Sequence, residues 1–198
     1  MLELNQYYDI KTLTASSAWP SYKSQISAYG LVPFINELGS DINGIEIGVC
    51  WGINSYMLLE SCPNITTLVG VDHYKSYQDW DREIPQHEQD HSYAKLVHNM
   101  TVMGPRFKLL KMSSKDAAVE LADDSFDFVF IDADHSMKSV LADLDNYWPK
   151  IKSGGIIAGH DANLFSVNFA VTSWVKRKGI DPTTINMLEN QAWYFKKA

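Results

Sequence analysis

Five short apolar runs recur along the chain, each followed by a polar break and most by a segment with helical spacing. They are Ile45-Glu46-Ile47-Gly48-Val49, Thr66-Thr67-Leu68-Val69-Gly70-Val71, Phe107-Lys108-Leu109-Leu110-Lys111-Met112, Phe126-Asp127-Phe128-Val129-Phe130-Ile131 and Ile156-Ile157-Ala158. These runs are apolar almost throughout instead of alternating, which predicts strands of a parallel sheet covered on both faces. Helices are predicted over residues 21–38, 56–60, 115–121, 136–147 and 165–178. In the first, Ile26, Tyr29, Leu31, Phe34, Ile35 and Leu38 form a broad apolar face, and in the fourth Val140, Leu141 and Leu144 share one. Near the end the rule changes. Residues 183–188 and 192–196 read as strands, but only Glu189-Asn190-Gln191 separates them. So short a connection makes an antiparallel hairpin, because a parallel crossover needs a dozen residues or more. The predicted fold is α/β: a doubly wound, mostly parallel seven-stranded sheet with a C-terminal antiparallel hairpin.

The chain has 198 residues, enough for one sizeable core, so a single domain over 1–198 is expected. Hydrophobic residues make up 45% and charged residues 21%, a globular composition. The formal net charge of −7 argues against a nucleic-acid partner, which would call for concentrated Lys and Arg. Cys50 and Cys62 flank one predicted helix and match no metal or redox spacing. The amino terminus lacks the basic-then-apolar build of a signal peptide, and no apolar run is long enough to span a bilayer. A cytoplasmic setting without a membrane partner is therefore expected. Within the first 40 residues, an N-terminal arm precedes the first helix. Residues 1–18 are expected to pack on the body or on a second subunit, which is compatible with a homodimer.

The candidate chemistry gathers where the strands end. Gly48-Val49-Cys50-Trp51-Gly52 forms a glycine-punctuated turn between the first strand and its helix, with Cys50 where a full G-x-G-x-x-G would have its second glycine. Strand ends at one edge of a parallel sheet converge on a crevice. That brings together this turn, Asp72, Ser113-Ser114 and Asp132. Asp72 suits the two hydroxyls of a ribose, since a carboxylate accepts both hydrogen bonds. Ser113 and Ser114 fit helix capping equally well.

The five β/α units, the closing hairpin, Glu46-x-Gly48 and Asp72 resemble the class I S-adenosylmethionine-dependent methyltransferases, from Gly44 onward. More narrowly, Ile131-Asp132-Ala133-Asp134-His135 followed by Gly154-Gly155-Ile156-Ile157-Ala158-Gly159-His160-Asp161 resembles the macrocin O-methyltransferase and cephalosporin-hydroxylase-like group of metal-dependent O-methyltransferases. That group is kin to the catechol O-methyltransferases. The resemblance implies S-adenosylmethionine as cofactor and a divalent metal. It also implies a small hydroxylated acceptor: a sugar, a diol or a natural-product intermediate. It places the cofactor on Glu46, Gly48, Gly52, Ser55, Asp72, Ser113, Ser114 and Asp132. Ser55 would hold the methionine carboxylate, and the two serines would border the adenine. Asp132, His160 and Asp161 would hold the metal. An oxygen-rich set suits Mg²⁺, while the imidazole of His160 tilts preference toward Mn²⁺, Fe²⁺ or Zn²⁺. His135 stands where such relatives keep a general base, with Asp134 available to orient it or to serve as a spare ligand. Cys50 and Ser113 depart from the family pattern, the latter at a position that often carries an acid.

Two further features need a reading. His87-Glu88-Gln89-Asp90-His91 matches the H-E-x-x-H signature of zinc peptidases. It follows Pro85, is strongly polar, and lacks the apolar helix that buries such a site, so a chance match is expected. Residues 73–103 form a longer insertion than a crossover needs. With Tyr74, Tyr77 and Trp80 near its start, it reads either as a lid over the sulfonium or as a surface helix whose aromatics pack on the body. Besides a methyltransferase, the sequence admits a metallopeptidase on His87 and His91, a cofactor-binding domain without chemistry, and aminopropyl transfer, which needs no metal cluster.

Overall fold

The computed structural model describes residues 9–79 and 82–198, so Trp80 and the first eight residues of the arm lie outside the described residues. In chain order the first elements are α1 (Ile10–Ala15), α2 (Trp19–Lys23), α3 (Val32–Asn36), β1 (Ile42–Ile47), α4 (Ile53–Ser61) and β2 (Ile65–Val71). The insertion holds β3 (Tyr77–Asp79), β4 (Arg82–Ile84) and α5 (Gln86–Met100). Then come β5 (Phe107–Leu110), α6 (Ser114–Glu120), β6 (Phe126–Ile131), α7 (Met137–Tyr147), β7 (Ile151–Gly159), α8 (Phe165–Arg177), β8 (Asn186–Met187) and β9 (Trp193–Lys196).

Seven of these strands form one sheet in the order β5-β2-β1-β6-β7-β9-β8. The first five run parallel, and β9 pairs antiparallel with both β7 and β8. The predicted parallel sheet and closing hairpin are both present. The order reverses at β1, so β1 and β6 leave a crevice between the loops that follow them, the usual ligand position in such sheets. Alternation along β1 sends Ile45 and Ile47 into the apolar layer that packs α7 and α8. Glu46 and Gly44 face the opposite layer, where α4 lies.

Two predicted elements are altered. The helix expected over 21–38 is broken into α2, a 3₁₀ turn at Ser27–Leu31, and α3. Pro33 lacks the N–H a continuing helix would use, but it fits the first turn of a new one. The Ser24 and Ile26 carbonyls at this break accept from Asn190 Nδ2 at 2.7 and 3.3 Å. The strand expected over 183–188 shrinks to β8, because Asp181 accepts from Thr183 N at 2.9 Å and caps a 3₁₀ turn at Pro182–Thr184. No helix of the described residues is long and apolar enough to cross a membrane.

Candidate functional site

A cleft of about 480 Å³ opens at the carboxyl edge of the sheet. The turn after β1 forms its floor. Gly48 has φ +85°, and a Cβ there would lie 2.0 Å from the Asp132 carbonyl oxygen, so only glycine lets the loops after β1 and β6 approach. Gly52, at φ +90°, precedes α4, and its bare face abuts Leu96 of α5. Cys50 takes φ +51° between them, an uncommon conformation for a side-chain-bearing residue, and it lines the cleft. Asp72 stabilises this turn. Its Oδ2 accepts from Val49 N at 3.1 Å and Cys50 N at 3.0 Å, and its Oδ1 accepts from Tyr74 N at 3.0 Å. Tyr74, buried, donates its hydroxyl to the Cys50 carbonyl at 2.6 Å.

At the end of β6, Asp132 Oδ2 accepts from Asn54 Nδ2 at 3.1 Å. The Ser27 hydroxyl lies 3.2 Å from the same oxygen and 3.1 Å from Asn54 Oδ1. Asp161 follows β7 with φ +58°. Its Oδ2 is 2.8 Å from His135 Nε2 and 3.1 Å from His160 Nδ1, and His160 Nδ1 is 3.6 Å from Asp132 Oδ1. Burial works against the Asp161 charge, but the bonds from His135 and His160 outweigh it and hold its carboxyl well below the usual range. Burial likewise opposes the His160 charge, yet Asp132 and Asp161 push that imidazole up to about 10. Asp132, His135 and Asp161 present ligand atoms within 4.8 Å of one another, the single such group of three among the described residues. His160, expected in the set, adjoins the acids without completing that group, whereas His135 does.

Other expected residues sit differently. Glu46 and Ser55 do not line the cleft. They are fully buried behind its wall, where the Ser55 hydroxyl donates to Glu46 Oε2. The one-residue offset on α4 places Asn54, not Ser55, toward the cleft. Burial pushes Glu46 up to about 8, and its Oε1 has no hydrogen-bond partner. Ser113 and Ser114 line the cleft, although Ser113 is committed as the cap of α6, 3.1 Å from Asp116 N. Asp134 does not orient His135. Its oxygens accept from Ser136 N at 2.8 Å and Ser139 Oγ at 2.7 Å at the start of α7, and Asp161 takes the imidazole instead.

Sequence reasoning missed Ser27, Asn54 and Asp143. Asp143 is buried and lines the cleft. The signal for it was present: an acid on the same stripe of α7 as Val140, Leu144 and Tyr147, all buried. Ser27 carried no signal, since it arrives from the broken N-terminal helix. The H-E-x-x-H segment does form the first turns of a helix, α5. His87 and His91 stay exposed there and, among the described residues, join no group of three metal-capable side chains. Tyr77 and Gln89 of the insertion reach the cleft, while Tyr74 packs in the body.

A family model described as a methyltransferase domain matches residues 45–162. No curated protein matches. Among solved structures, the chain is similar to a Corynebacterium glutamicum protein at 18% identity. That match covers 98% of this chain and 95% of the other, with a TM-score of 0.62. It is also similar to the O-methyltransferase NovP at 14% identity, over 86% and 80% of the two chains, TM-score 0.62. An O-methyltransferase from Bacillus cereus in complex with SAH matches at 14% identity over 98% and 89%, TM-score 0.61.

Proposed function

This chain belongs to the methyltransferase-domain family, and on that premise we propose that it moves the methyl group of S-adenosylmethionine to a hydroxyl oxygen of a small acceptor. One observation carries the choice of cofactor. Asp72, Asp132, Asp134 and Asp143 line the cleft, and no Lys or Arg does among the described residues. Such a field repels the phosphates of a nucleotide or dinucleotide and favours a ligand with a sulfonium and an ammonium group. Asp72 faces the ribose, and Ser113 and Ser114 border the adenine. The similarity of fold to O-methyltransferases supports oxygen as the methyl acceptor.

The reaction needs an acceptor oxygen stripped of its proton and held in line with the methyl carbon. When bound, S-adenosylmethionine would supply the methyl group, the C–O bond forming as the S–C bond breaks to leave a neutral thioether. His135 is assigned the proton. Because Nε2 faces Asp161 at 2.8 Å, the carboxylate favours the tautomer protonated there and makes Nδ1 the basic nitrogen. Asp161 also steadies the imidazolium that results. Holding oxygen and methyl together supplies most of the acceleration.

The carboxylates and imidazoles fit a divalent cation. Asp132, His160 and Asp161 would hold it, with His160 beside both acids and His135 left to the proton. When bound, the ion would act as a Lewis acid on the acceptor hydroxyl.

Calorimetry with S-adenosylhomocysteine tests the reading. Wild type should bind. Gly48→Arg should abolish binding by forcing the β1 and β6 loops apart. Asp72→Ala should weaken it by about 1–3 kcal/mol. Binding of a nicotinamide dinucleotide in place of S-adenosylhomocysteine would overturn the proposal.

A further inference from the structure

We propose that Asn190, in the turn between β8 and β9, is a positioning residue that holds Ser27 against Asp132 and ties it to the loop carrying Asp161. The inference rests on the reading of the cleft as an S-adenosylmethionine site and extends it to the C-terminal hairpin. Ser27 lines the cleft but sits in a segment that cannot place itself. α2, the 3₁₀ turn at Ser27–Leu31 and α3 have five residues each, too short to be stable alone. Their position comes from what they pack against.

The turn between β8 and β9 grips this segment on both sides of Ser27. Before it, Asn190 Nδ2 donates to the carbonyls of Ser24 at 2.7 Å and Ile26 at 3.3 Å. After it, Gly30 abuts Leu188: a Cβ on Gly30 would lie 3.2 Å from the Leu188 Cβ. Held between these points, Ser27 sets its hydroxyl 3.2 Å from Asp132 Oδ2 and 3.1 Å from Asn54 Oδ1. The next residue, Ala28, donates its N–H to the same Asn54 oxygen at 3.2 Å. The same turn also reaches the end of β7, where the Gln191 carbonyl accepts from Ala162 N at 2.9 Å, next to Asp161. Asn190 and Gln191 both take left-handed backbone, with φ +59° and +63°. Asparagine tolerates that conformation and glutamine much less, so two such residues in a row are kept by the contacts they make. One strained turn thereby spans the gap between the segment that restrains Asp132 and the loop that carries Asp161.

The test is a double-mutant cycle read as S-adenosylhomocysteine affinity by calorimetry. Asn190→Gly removes the amide and leaves a residue at ease at positive φ, so the turn keeps its shape. It should weaken binding by about fivefold to tenfold, and Ser27→Ala by a similar factor. In the Ser27→Ala background the Asn190 substitution should cost less than about twofold, because the group it positions is gone. Losses that simply multiply would show Asn190 acting on the fold at large and would overturn the proposal, as would wild-type affinity in Asn190→Gly. Melting curves without ligand check that each variant is folded at the temperature of the titration. If the Gly variant is not, Asn190→Asp takes its place, tolerating the same backbone while offering the two carbonyls no donor. A wild type that binds no S-adenosylhomocysteine would instead overturn the cofactor reading beneath the proposal.

Discussion

Glu46 shows how a single side chain links the sequence to pH-dependent stability. It lies on β1 facing α4, fully buried, with Ser55 bonded to one oxygen and nothing to the other. Burial disfavours its charge, so the folded chain holds the proton to about pH 8, whereas the reference value is 4.5. Between those values the native state binds a proton that the unfolded state has released. Stability therefore falls as pH rises through this window. Glu46→Gln should remove that slope. Denaturant titrations at pH 6.5 and 8.5 should show wild type losing more stability than the variant, by about 1 kcal/mol or more. His160, whose raised value gives a slope of the same sign, is present in both proteins and cancels in the comparison. Equal losses in the two proteins would mean that Glu46 is ionised in the fold.

Among the elements, the insertion before β5 does the least expected work. Its helix, α5, props the turn on which the cofactor is proposed to rest. Asn99, buried, donates to the Trp51 carbonyl at 2.9 Å and accepts from Ile10 N at 3.2 Å. Leu96 closes against Gly52 from the same helix. Asn99→Ala should remove both of these hydrogen bonds to the backbone. A loss of about 1–3 kcal/mol in stability should follow, with weaker S-adenosylhomocysteine binding in the same calorimetry. Unchanged affinity would mean that the turn holds its shape without α5. This buttress was illegible in the sequence for a physical reason. α5 is strongly polar, and only Leu96, Asn99 and Met100 are buried, all near its C-terminal end. The strands were legible because parallel strands buried on both faces are apolar along their whole length. Asp72 and Asp132 could be found because they end such runs. Asn54 and Asp143 are set by which side of a helix meets the cleft, and the broken helix before β1 hid Ser27.

At the scale of the whole molecule, the proposed reactive corner is assembled from parts far apart in the chain. Ser27 comes from the N-terminal segment, Asn54 from α4, Asp132 and His135 from the loop after β6, and His160 and Asp161 from the end of β7. The C-terminal hairpin holds that last strand in place. β9 pairs along β7 as far as Gly159, and Trp193 Nε1 donates to the His160 carbonyl at 3.1 Å. Two proposed roles meet in this corner, holding a cation and taking a proton, and they would respond differently to loss of a side chain. Asp132→Ala and Asp161→Ala each remove a ligand charge, so metal affinity should fall and excess metal should partly restore turnover. His135→Ala should keep the metal and the cofactor yet lose about a hundredfold or more in rate. Its residual activity should rise with pH as the acceptor ionises unaided. His87→Ala and His91→Ala on α5 should leave metal content unchanged. Metal titration and a pH–rate profile, run once an acceptor has been found by screening, distinguish these classes. If His135→Ala lost the metal as the Asp variants do, His135 would be a ligand, as its place beside Asp132 and Asp161 allows, and the proton would have to leave by another route. Full activity in the presence of a chelator would remove the metal from the mechanism and leave the acid-lined cleft as a cofactor site alone.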